Sequence, residues 1–275
     1  MEEKQYGDYF VDNNEPEMNN NEDDIKIDIP NYKAILCFGI GWIGISIIAT
    51  LIYTIIGLFI DLSSINEINQ IKIMGLVNFA CYLVVCVSLL LVLGKPVINK
   101  LLKQFKNLNN LGKGLMYGFI LLGSSVIYYL IVLLIYPDFG SNANQNTVVE
   151  MIKMYPVLSF FSVALFAPIA EEITYRLGLA GTIAKKSKVL AIVVSSLLFG
   201  LIHSAFIDLS FLSMTKQEII NEAIALPSYI ISGLVMGIAY IKEDSLAVSI
   251  TAHMTNNFIA FIQSFIPIEE LFRLF

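Results

Sequence analysis

The stretch VLSFFSVALFAPIAEEITYRLGLAG, residues 157–181, places two glutamates and one arginine inside an otherwise apolar run. About 20 apolar residues in helical form cross the hydrocarbon core of a bilayer, so this run has the length of a transmembrane helix. An ionisable group in hydrocarbon costs about 2.5–3.5 kcal/mol on insertion scales. Glu171, Glu172 and Arg176 are therefore expected to face other polar groups or a water-filled cavity, and not lipid.

Six further apolar segments accompany this stretch along the chain. Helices are the expected form, because open sheet edges cannot be satisfied in lipid. An eighth segment would have to lie in 61–72 or among the last ten residues. The sequence thus predicts an all-α polytopic membrane protein, a bundle of about seven or eight transmembrane helices around a polar intramembrane site. The seven predicted spans are 34–60, 73–93, 115–136, 157–181, 189–207, 223–241 and 246–265.

The composition is typical of a membrane protein, since 56% of the 275 residues are hydrophobic and 15% are charged. Soluble domains average about 45–50% apolar and about 25% charged residues. The formal net charge of −6 comes from residues 1–33, which hold ten acids and three lysines. The remainder is slightly basic, so the lipid bilayer is an expected partner and nucleic acid is not. Cys37, Cys81 and Cys86 lie in apolar spans without paired spacing, as small buried hydrophobic residues do.

Residues 1–33 are expected to form a disordered acidic tail, because they bury too little apolar area to offset the entropy of ordering. Residues 34–275 then form the transmembrane domain, with a motif-bearing core at about 115–260. Lysines concentrate in the connections 94–114 and 182–188, which lie on one side when seven spans alternate. The positive-inside tendency places that side and the N-terminus in the cytoplasm, so we expect an integral, multi-pass protein of the cell membrane.

The predicted spans contain only five charged or histidine residues, which form three clusters. The first cluster is an EExxxR pattern. Residues four apart share a helix face, so Glu172 and Arg176 are expected to pair, while Glu171 lies about 100° away. Arg176 would hold Glu172 ionised and leave Glu171 as a free carboxylate, which suits a general base. The alternative is a salt bridge at the membrane edge, and the seven small or apolar residues after Arg176 argue against it.

The second and third clusters carry the only two histidines of the chain. In FGLIH, an FxxxH pattern, Phe199 lies one turn before His203 and is expected to pack on the same face. In HMTNN, an HxxxN pattern, His253 and Asn257 share a face, and both can donate hydrogen bonds to a developing oxyanion. Taken singly, His203 is more typical of a satisfied interfacial residue. The pair on the last span is equally typical of a hydrogen bond between helices.

Together the three clusters contain the groups that peptide hydrolysis within a membrane requires. Glu171 and His203 would activate a water molecule, and His253 with Asn257 would stabilise the tetrahedral oxyanion. Counted at about 1.5 Å per residue from the lysine-rich helix ends, His253 lies roughly 10 Å deep and His203 about 20 Å deep. A single site therefore requires the 189–207 helix to be tilted or to begin later than residue 189.

The motifs EExxxR, FxxxH and HxxxN, in this order on successive segments, resemble those of the CPBP family. That family includes the type II CAAX prenyl endopeptidases and the bacterial Abi or bacteriocin-immunity proteins. The resemblance covers roughly residues 115–260, and every motif position matches. It implies that each polar motif residue has a role. The water-activating pair would be Glu171 and His203, the oxyanion pair His253 and Asn257, and the supporting ion pair Glu172 and Arg176.

Two histidines and a glutamate could instead bind zinc and leave an open position for a catalytic water. The chain lacks HExxH, and the resemblance favours a glutamate-activated water with no metal cofactor. The expected function is an intramembrane endopeptidase acting on a membrane-embedded or lipidated peptide, with a zinc-dependent form as one alternative. The other alternative is a non-catalytic membrane protein that binds a partner or confers immunity. A transporter is disfavoured, because the sequence does not show helices interrupted by Gly or Pro at corresponding positions in its two halves.

Overall fold

A computed structural model describes residues 26–207 and 210–266, and this part of the chain forms eight helices and no strands. The all-α fold predicted from the sequence is confirmed. Two short 3-10 turns, Leu62–Ser64 and Ser210–Ser213, lie in the connections. The helices are α1 (Asn31–Gly57), α2 (Glu67–Lys106), α3 (Leu108–Ile135), α4 (Ala143–Met154), α5 (Pro156–Ala184), α6 (Lys188–Ile202), α7 (Lys216–Glu243) and α8 (Leu246–Gln263).

Five of these helices, α1, α2, α3, α5 and α7, are long and apolar enough to cross a membrane by length and composition. Helix α6 is apolar but has 15 residues, and α8 has 18 residues that include His253, Asn256 and Asn257. Each predicted span corresponds to one helix, and the protein is a polytopic integral membrane protein.

The additional helix is α4, whose 12 residues lie between the third and fourth predicted spans. Helices of that length are too short to span a bilayer. Neither place considered for an eighth segment holds a further helix among the described residues. The stretch 61–72 contains a 3-10 turn and the start of α2, and 267–275 lies outside the described residues.

Most helices begin at a polar residue in the preceding connection, whose side chain accepts a hydrogen bond from a free backbone N–H of the first turn. These N-caps are Asn66, Asn107, Asn142, Ser187 and Thr215, the last as part of a capping box with Glu218. Helix α8 is capped by a side chain from another helix, α2. The buried side chain of Gln104, near the end of α2, accepts hydrogen bonds from Ala247 N and Ser245 Oγ at 3.2 Å.

Residues 26–33 were expected to belong to a disordered acidic tail, but in the structure they are ordered. Residues 26–30 are extended, and α1 begins at Asn31. Ile27 and Ile29 are 8% and 4% exposed and belong to the hydrophobic core. Alternate residues of an extended chain face the same side, so the two isoleucines point inward and Lys26 and Asp28 point outward. Residues 1–25 lie outside the described residues.

Helix α2 is 40 residues long because it continues through most of the predicted connection 94–114. Gly94 has a φ of 76° and Pro96 follows it, and together they produce a kink. The carbonyl oxygen of Leu93, next to the kink, accepts a hydrogen bond from Lys33 Nζ at 2.9 Å. Beyond the kink, Leu101 and Gln104 are buried, so this lysine-bearing segment packs as an amphipathic helix.

Several contacts bring the lysine-bearing segments to one end of the bundle. Ion pairs join Lys26 to Asp244 at 2.6 Å and Lys185 to Asp28 at 3.2 Å. Lys113 pairs with Glu243, at the end of α7, at 2.6 Å. We call this the lysine-rich end; it comprises residues 26–33, 94–113, 185–188 and 242–244.

Small residues let the helices around α8 approach one another closely. Gly114 and Gly118 lie one turn apart on α3 and face Thr251 and Thr255 of α8. A Cβ atom added at either glycine would lie 2.5 Å or 2.7 Å from the threonine Cβ atom. Close helix contact through small residues is the usual packing mode in membranes, where lipid removes the hydrophobic drive between helices. Close packing of these small residues therefore holds helix α8, which carries His253, against α3.

We expect Gly118→Ala to destabilise the protein, because the new methyl group would lie 2.7 Å from Thr255 Cβ and 3.1 Å from the carbonyl oxygen of Ala252. Overpacking of this kind typically costs about 1–3 kcal/mol. The measurement is the melting temperature of the purified protein in detergent. Gly123→Ala on the same helix is the control, since nothing lies within 4 Å of its added Cβ. Equal melting temperatures for the two variants would contradict the close α3–α8 packing.

Candidate active site

The carboxylate of Glu171 lies between the imidazoles of His203 and His253. Glu171 Oε2 is 3.7 Å from His203 Nε2 and 3.8 Å from His253 Nε2. The three side chains are 12%, 19% and 6% exposed, in that order. They come from α5, from the residue that ends α6, and from α8. The structure thus brings together three of the four residues predicted to be catalytic, in one mostly buried site.

His203 and His253 both lie beside Glu171, although the sequence placed the two histidines at different depths in the membrane. Helix α6 begins at Lys188, one residue before the predicted start, so a later start is not the explanation. Helical side chains lean toward the N-terminus of their own helix. Because α5 and α6 run in opposite directions, Glu171 leans away from the lysine-rich end and His203 leans toward it. The His203 ring reaches back one turn, with Nδ1 2.7 Å from the carbonyl oxygen of Phe199.

Hydrogen-bond acceptors set the orientation of both imidazoles. Nδ1 of His203 lies 2.7 Å from Phe199 O, and Nδ1 of His253 lies 3.1 Å from Glu172 Oε1. A carbonyl and a carboxylate only accept, so we assign the proton to Nδ1 in each ring. Both Nε2 atoms then face Glu171. Their distances to Oε2 are longer than a direct hydrogen bond, and a water molecule between the three atoms can donate its two hydrogens to Oε2 and to one Nε2.

Glu172 and Arg176 form the ion pair expected from their spacing. Arg176 Nε donates to Glu172 Oε2 at 3.0 Å, and both side chains are fully buried. Arg176 Nη1 donates to Ser195 Oγ at 3.2 Å, whereas Nη2 has no hydrogen-bond partner among the described residues. The guanidinium carbon lies 5.4 Å from the centre of the Phe199 ring, a cation–π contact. A pair without solvent exposure is not the membrane-edge salt bridge that the sequence left open.

Phe199 packs at the centre of the site. Its ring centroid lies 4.6 Å from that of His203 and 5.7 Å from that of His253. Tyr175 contacts the same ring edge-on, with 5.4 Å between centroids. Together with the contact to Arg176, these distances give Phe199 the packing role expected from its place one turn before His203.

Asn257 lies one turn beyond His253 and makes different contacts. Its Nδ2 donates to Val163 O at 3.0 Å, and its Oδ1 accepts from Asn256 Nδ2 at 3.1 Å. Among the described residues it forms no hydrogen bond with Glu171 or with either histidine. Its second amide N–H is left for another acceptor, because a carboxamide has two donors.

The contact to Val163 follows from an irregularity of α5. Residues Phe160–Phe166 and Ile173–Ala180 are π-helical, with hydrogen bonds that reach five residues back, and they flank the two glutamates. Ala167 N accordingly bonds to Ser162 O. The next donor of this ladder would be Pro168, which has no N–H. Val163 O is therefore free to accept from Asn257. Such wide turns are rare and occur frequently at functional sites.

Two tyrosines that the sequence analysis did not single out extend the site. Tyr82 of α2 donates its hydroxyl to Glu171 Oε1 at 2.9 Å. Tyr229 of α7 stacks on His203, with 5.0 Å between ring centroids, and its hydroxyl accepts from Asn144 Nδ2 at 3.1 Å. Both lie in apolar spans, where a buried tyrosine hydroxyl usually finds a partner. A tyrosine within an apolar span is therefore the signal in the sequence, and the pattern of charged residues and histidines does not contain it.

A buried carboxylate just outside a predicted span, Glu222, holds the segment after His203. Glu222 Oε2 accepts from Ala205 N at 3.2 Å, and Oε1 accepts from Ala143 N, at the start of α4, at 2.9 Å. Glu222 is 1% exposed. The position of His203 is thereby linked to α4, the short helix that the sequence did not predict.

We expect Arg176→Met to lower stability strongly, because Glu172 would remain buried without its cationic partner. Breaking a buried ion pair in this way costs about 3–5 kcal/mol. The double variant Glu172→Leu/Arg176→Met removes both charges and should recover part of the loss. The measurement is a double-mutant cycle on the melting temperature or the unfolding free energy in detergent. Strictly additive losses in the two single variants would contradict a directly coupled pair.

Comparison with known families identifies the part of the chain that holds this site. Residues 153–259 match the family model described as type II CAAX prenyl endopeptidase Rce1-like. No curated protein and no solved structure matches the chain. The matched segment contains EExxxR, FxxxH and HxxxN, on which the resemblance was based. The resemblance is thereby confirmed for residues 153–259, the segment that matches the Rce1-like type II CAAX prenyl endopeptidase model.

Proposed function

We propose that this protein is an intramembrane endopeptidase that hydrolyses a peptide bond with a water molecule activated by Glu171. The matched family is one of endopeptidases, and five helices are long and apolar enough to cross a membrane. The observation that carries the proposal is the convergence of two imidazole Nε2 atoms on one carboxylate oxygen. A carboxylate and two imidazoles at this spacing can bind and polarise one water inside an apolar bundle.

Glu171 is the proposed general base, and His203 is its partner. The hydroxyl of Tyr82 engages Glu171 Oε1, which leaves Oε2 to accept a proton from water. Nε2 of His203, unprotonated in the neutral ring, can accept the second hydrogen of that water and orient its oxygen toward a carbonyl carbon. Collapse of the tetrahedral intermediate breaks the C–N bond, and the proton held by Glu171 passes to the leaving amine.

His253 and Asn257 are the proposed oxyanion donors. Because Nδ1 of His253 already donates to Glu172, Nε2 can donate to an oxyanion only when it also carries a proton. The proposal therefore requires an imidazolium at His253, flanked by the carboxylates of Glu171 and Glu172. The second N–H of the Asn257 carboxamide supplies the other hydrogen bond. Donors already in place as charge develops are the most effective way to stabilise such an intermediate.

The substrate class depends on where this chemistry would take place. Peptide bonds of a helix in lipid are shielded, so an extended or unwound segment near the membrane surface is the accessible form. The family description names CAAX prenyl substrates, which makes a lipidated peptide the first substrate to test. A membrane-embedded peptide without a lipid is the second.

We expect Glu171→Gln to abolish proteolysis while the protein stays folded, because an amide cannot take a proton from water. The measurement is a survey of peptide termini in host membranes, comparing cells that express wild type and variant at matched levels. Glu150→Gln is the control, since Glu150 is exposed on α4. His203→Ala and His253→Ala should each lower turnover by orders of magnitude. Identical termini in wild-type and Glu171→Gln cells would favour the non-catalytic, partner-binding alternative.

We further expect cleavage to be independent of metal. Within residues 26–207 and 210–266, no group of three His, Cys, Asp or Glu side chains has an arrangement suited to a metal ion. The measurement is cleavage of a prenylated CAAX peptide by purified protein before and after phenanthroline treatment, together with the zinc content of the active sample. Unchanged turnover supports the glutamate-activated water. Loss of turnover that stoichiometric zinc restores would establish the zinc-dependent alternative.

A further inference from the structure

A polar cavity of about 380 Å³ opens at the lysine-rich end and shares no residue with the candidate active site. Its walls are the extended segment 26–29, the last turns of α5 with the start of α6, and the end of α7. The extended segment is held in place by Ile27 and Ile29, which are buried in the core. The polar side chains of the lining include Lys26, Asp28, Lys185, Lys188, Tyr240 and Lys242.

The charges around this cavity do not cancel. Two lysines of the rim are paired with aspartates, Lys26 with Asp244 and Lys185 with Asp28. The other two, Lys188 and Lys242, have no carboxylate oxygen within 4 Å in the part of the chain that the structure describes. The lining therefore has four lysines and two aspartates, while Glu243, which lies outside the lining, interacts electrostatically with Lys242.

A tyrosine hydroxyl adds a neutral donor to the same cavity. Tyr240 lies on the wall beside Gly181, and a Cβ atom at residue 181 would lie 3.0 Å from the hydroxyl oxygen. Glycine at that position gives the hydroxyl room. Among residues 26–207 and 210–266 this hydroxyl has no hydrogen-bond partner. The hydroxyl and the two ammonium groups of the lining together offer a donor set for an oxyanion with several acceptor oxygens.

The cavity lies at the end of the bundle that the positive-inside tendency places at the cytoplasmic surface, where anionic lipid headgroups concentrate. Basic pockets between membrane helices on that side bind such headgroups. We propose that this cavity binds a phosphate-bearing anion, presented by an anionic lipid headgroup or by free phosphate, through Lys188, Lys242 and the Tyr240 hydroxyl. This site goes beyond the proteolysis proposed above and does not depend on it.

The test uses the full-length protein in detergent and native mass spectrometry. The probe is dioleoyl-phosphatidylglycerol, added in competition with dioleoyl-phosphatidylcholine, so that only the headgroup differs. We expect wild type to retain phosphatidylglycerol preferentially and Lys188→Gln/Lys242→Gln to bind it at least about tenfold more weakly. Lys103→Gln/Lys106→Gln is the matched control, because it removes the same charge from the same end outside the cavity. Tyr240→Phe should weaken retention by several-fold.

A titration with inorganic phosphate distinguishes the two sources of the ligand. Displacement of phosphatidylglycerol at millimolar phosphate would show that the phosphate group alone suffices, and no displacement would assign the site to a lipid. Equal losses in the two double-lysine variants would overturn the proposal, since binding would then follow overall surface charge. So would a wild type without preference for phosphatidylglycerol. Glu171→Gln should bind like wild type, which separates this result from the outcome for proteolysis.

Discussion

The carboxylate of Glu172 has no solvent exposure, and the arrangement of three helices follows from how its charge is balanced. Removing an ion from water costs several kcal/mol even after the protein relaxes, so a buried carboxylate requires partners with good geometry. Arg176 supplies one from the next turn of α5, and His253 supplies another from α8. Arg176 in turn needs partners, which are Ser195 and the ring of Phe199, both on α6. The same interactions that neutralise the charge thus bring α5, α6 and α8 to fixed positions.

This balance also orients the group proposed for catalysis. Because Glu172 accepts from Nδ1 of His253, the opposite ring nitrogen turns toward Glu171. The scaffold around α8 is correspondingly tight, with Gly114 and Gly118 of α3 pressed against its threonines. A helix held by close backbone contacts on one side and by the buried hydrogen bond from His253 to Glu172 on the other has little freedom to rotate. Positioning of that kind is a requirement of a catalytic constellation.

The sequence was sufficient to predict features that depend on local spacing. Hydropathy located each span, and the four-residue separation of Glu172 and Arg176 predicted their pairing. That His203 and His253 would meet Glu171 followed from the cost of leaving polar groups in lipid. These rules need only the spacing of residues along one helix and the cost of placing a polar group in lipid.

Features that depend on distant partners were not predictable in this way. Tyr82 meets Glu171 across 89 residues of chain, and its place in an apolar span does not tell which residue its hydroxyl contacts. Glu222 gains its role only because Ala143 and Ala205 present free N–H groups to it. The extended segment at Ile27 was assigned to the acidic tail because average composition hides two inward-facing side chains.

The wide turns of α5 have a consequence for the surface that this helix shows to lipid. Each π-helical stretch departs from the 3.6-residue repeat, and one added residue rotates the remainder of the helix by about 100°. A helical wheel with constant pitch, drawn from residue 160 to residue 180, therefore assigns the wrong azimuth to part of the helix. A solvent-accessibility or spin-label scan along α5 would not show a single sinusoid. Its phase would change at Phe160–Phe166 and again at Ile173–Ala180, with Glu171 and Glu172 in the short α-helical interval between.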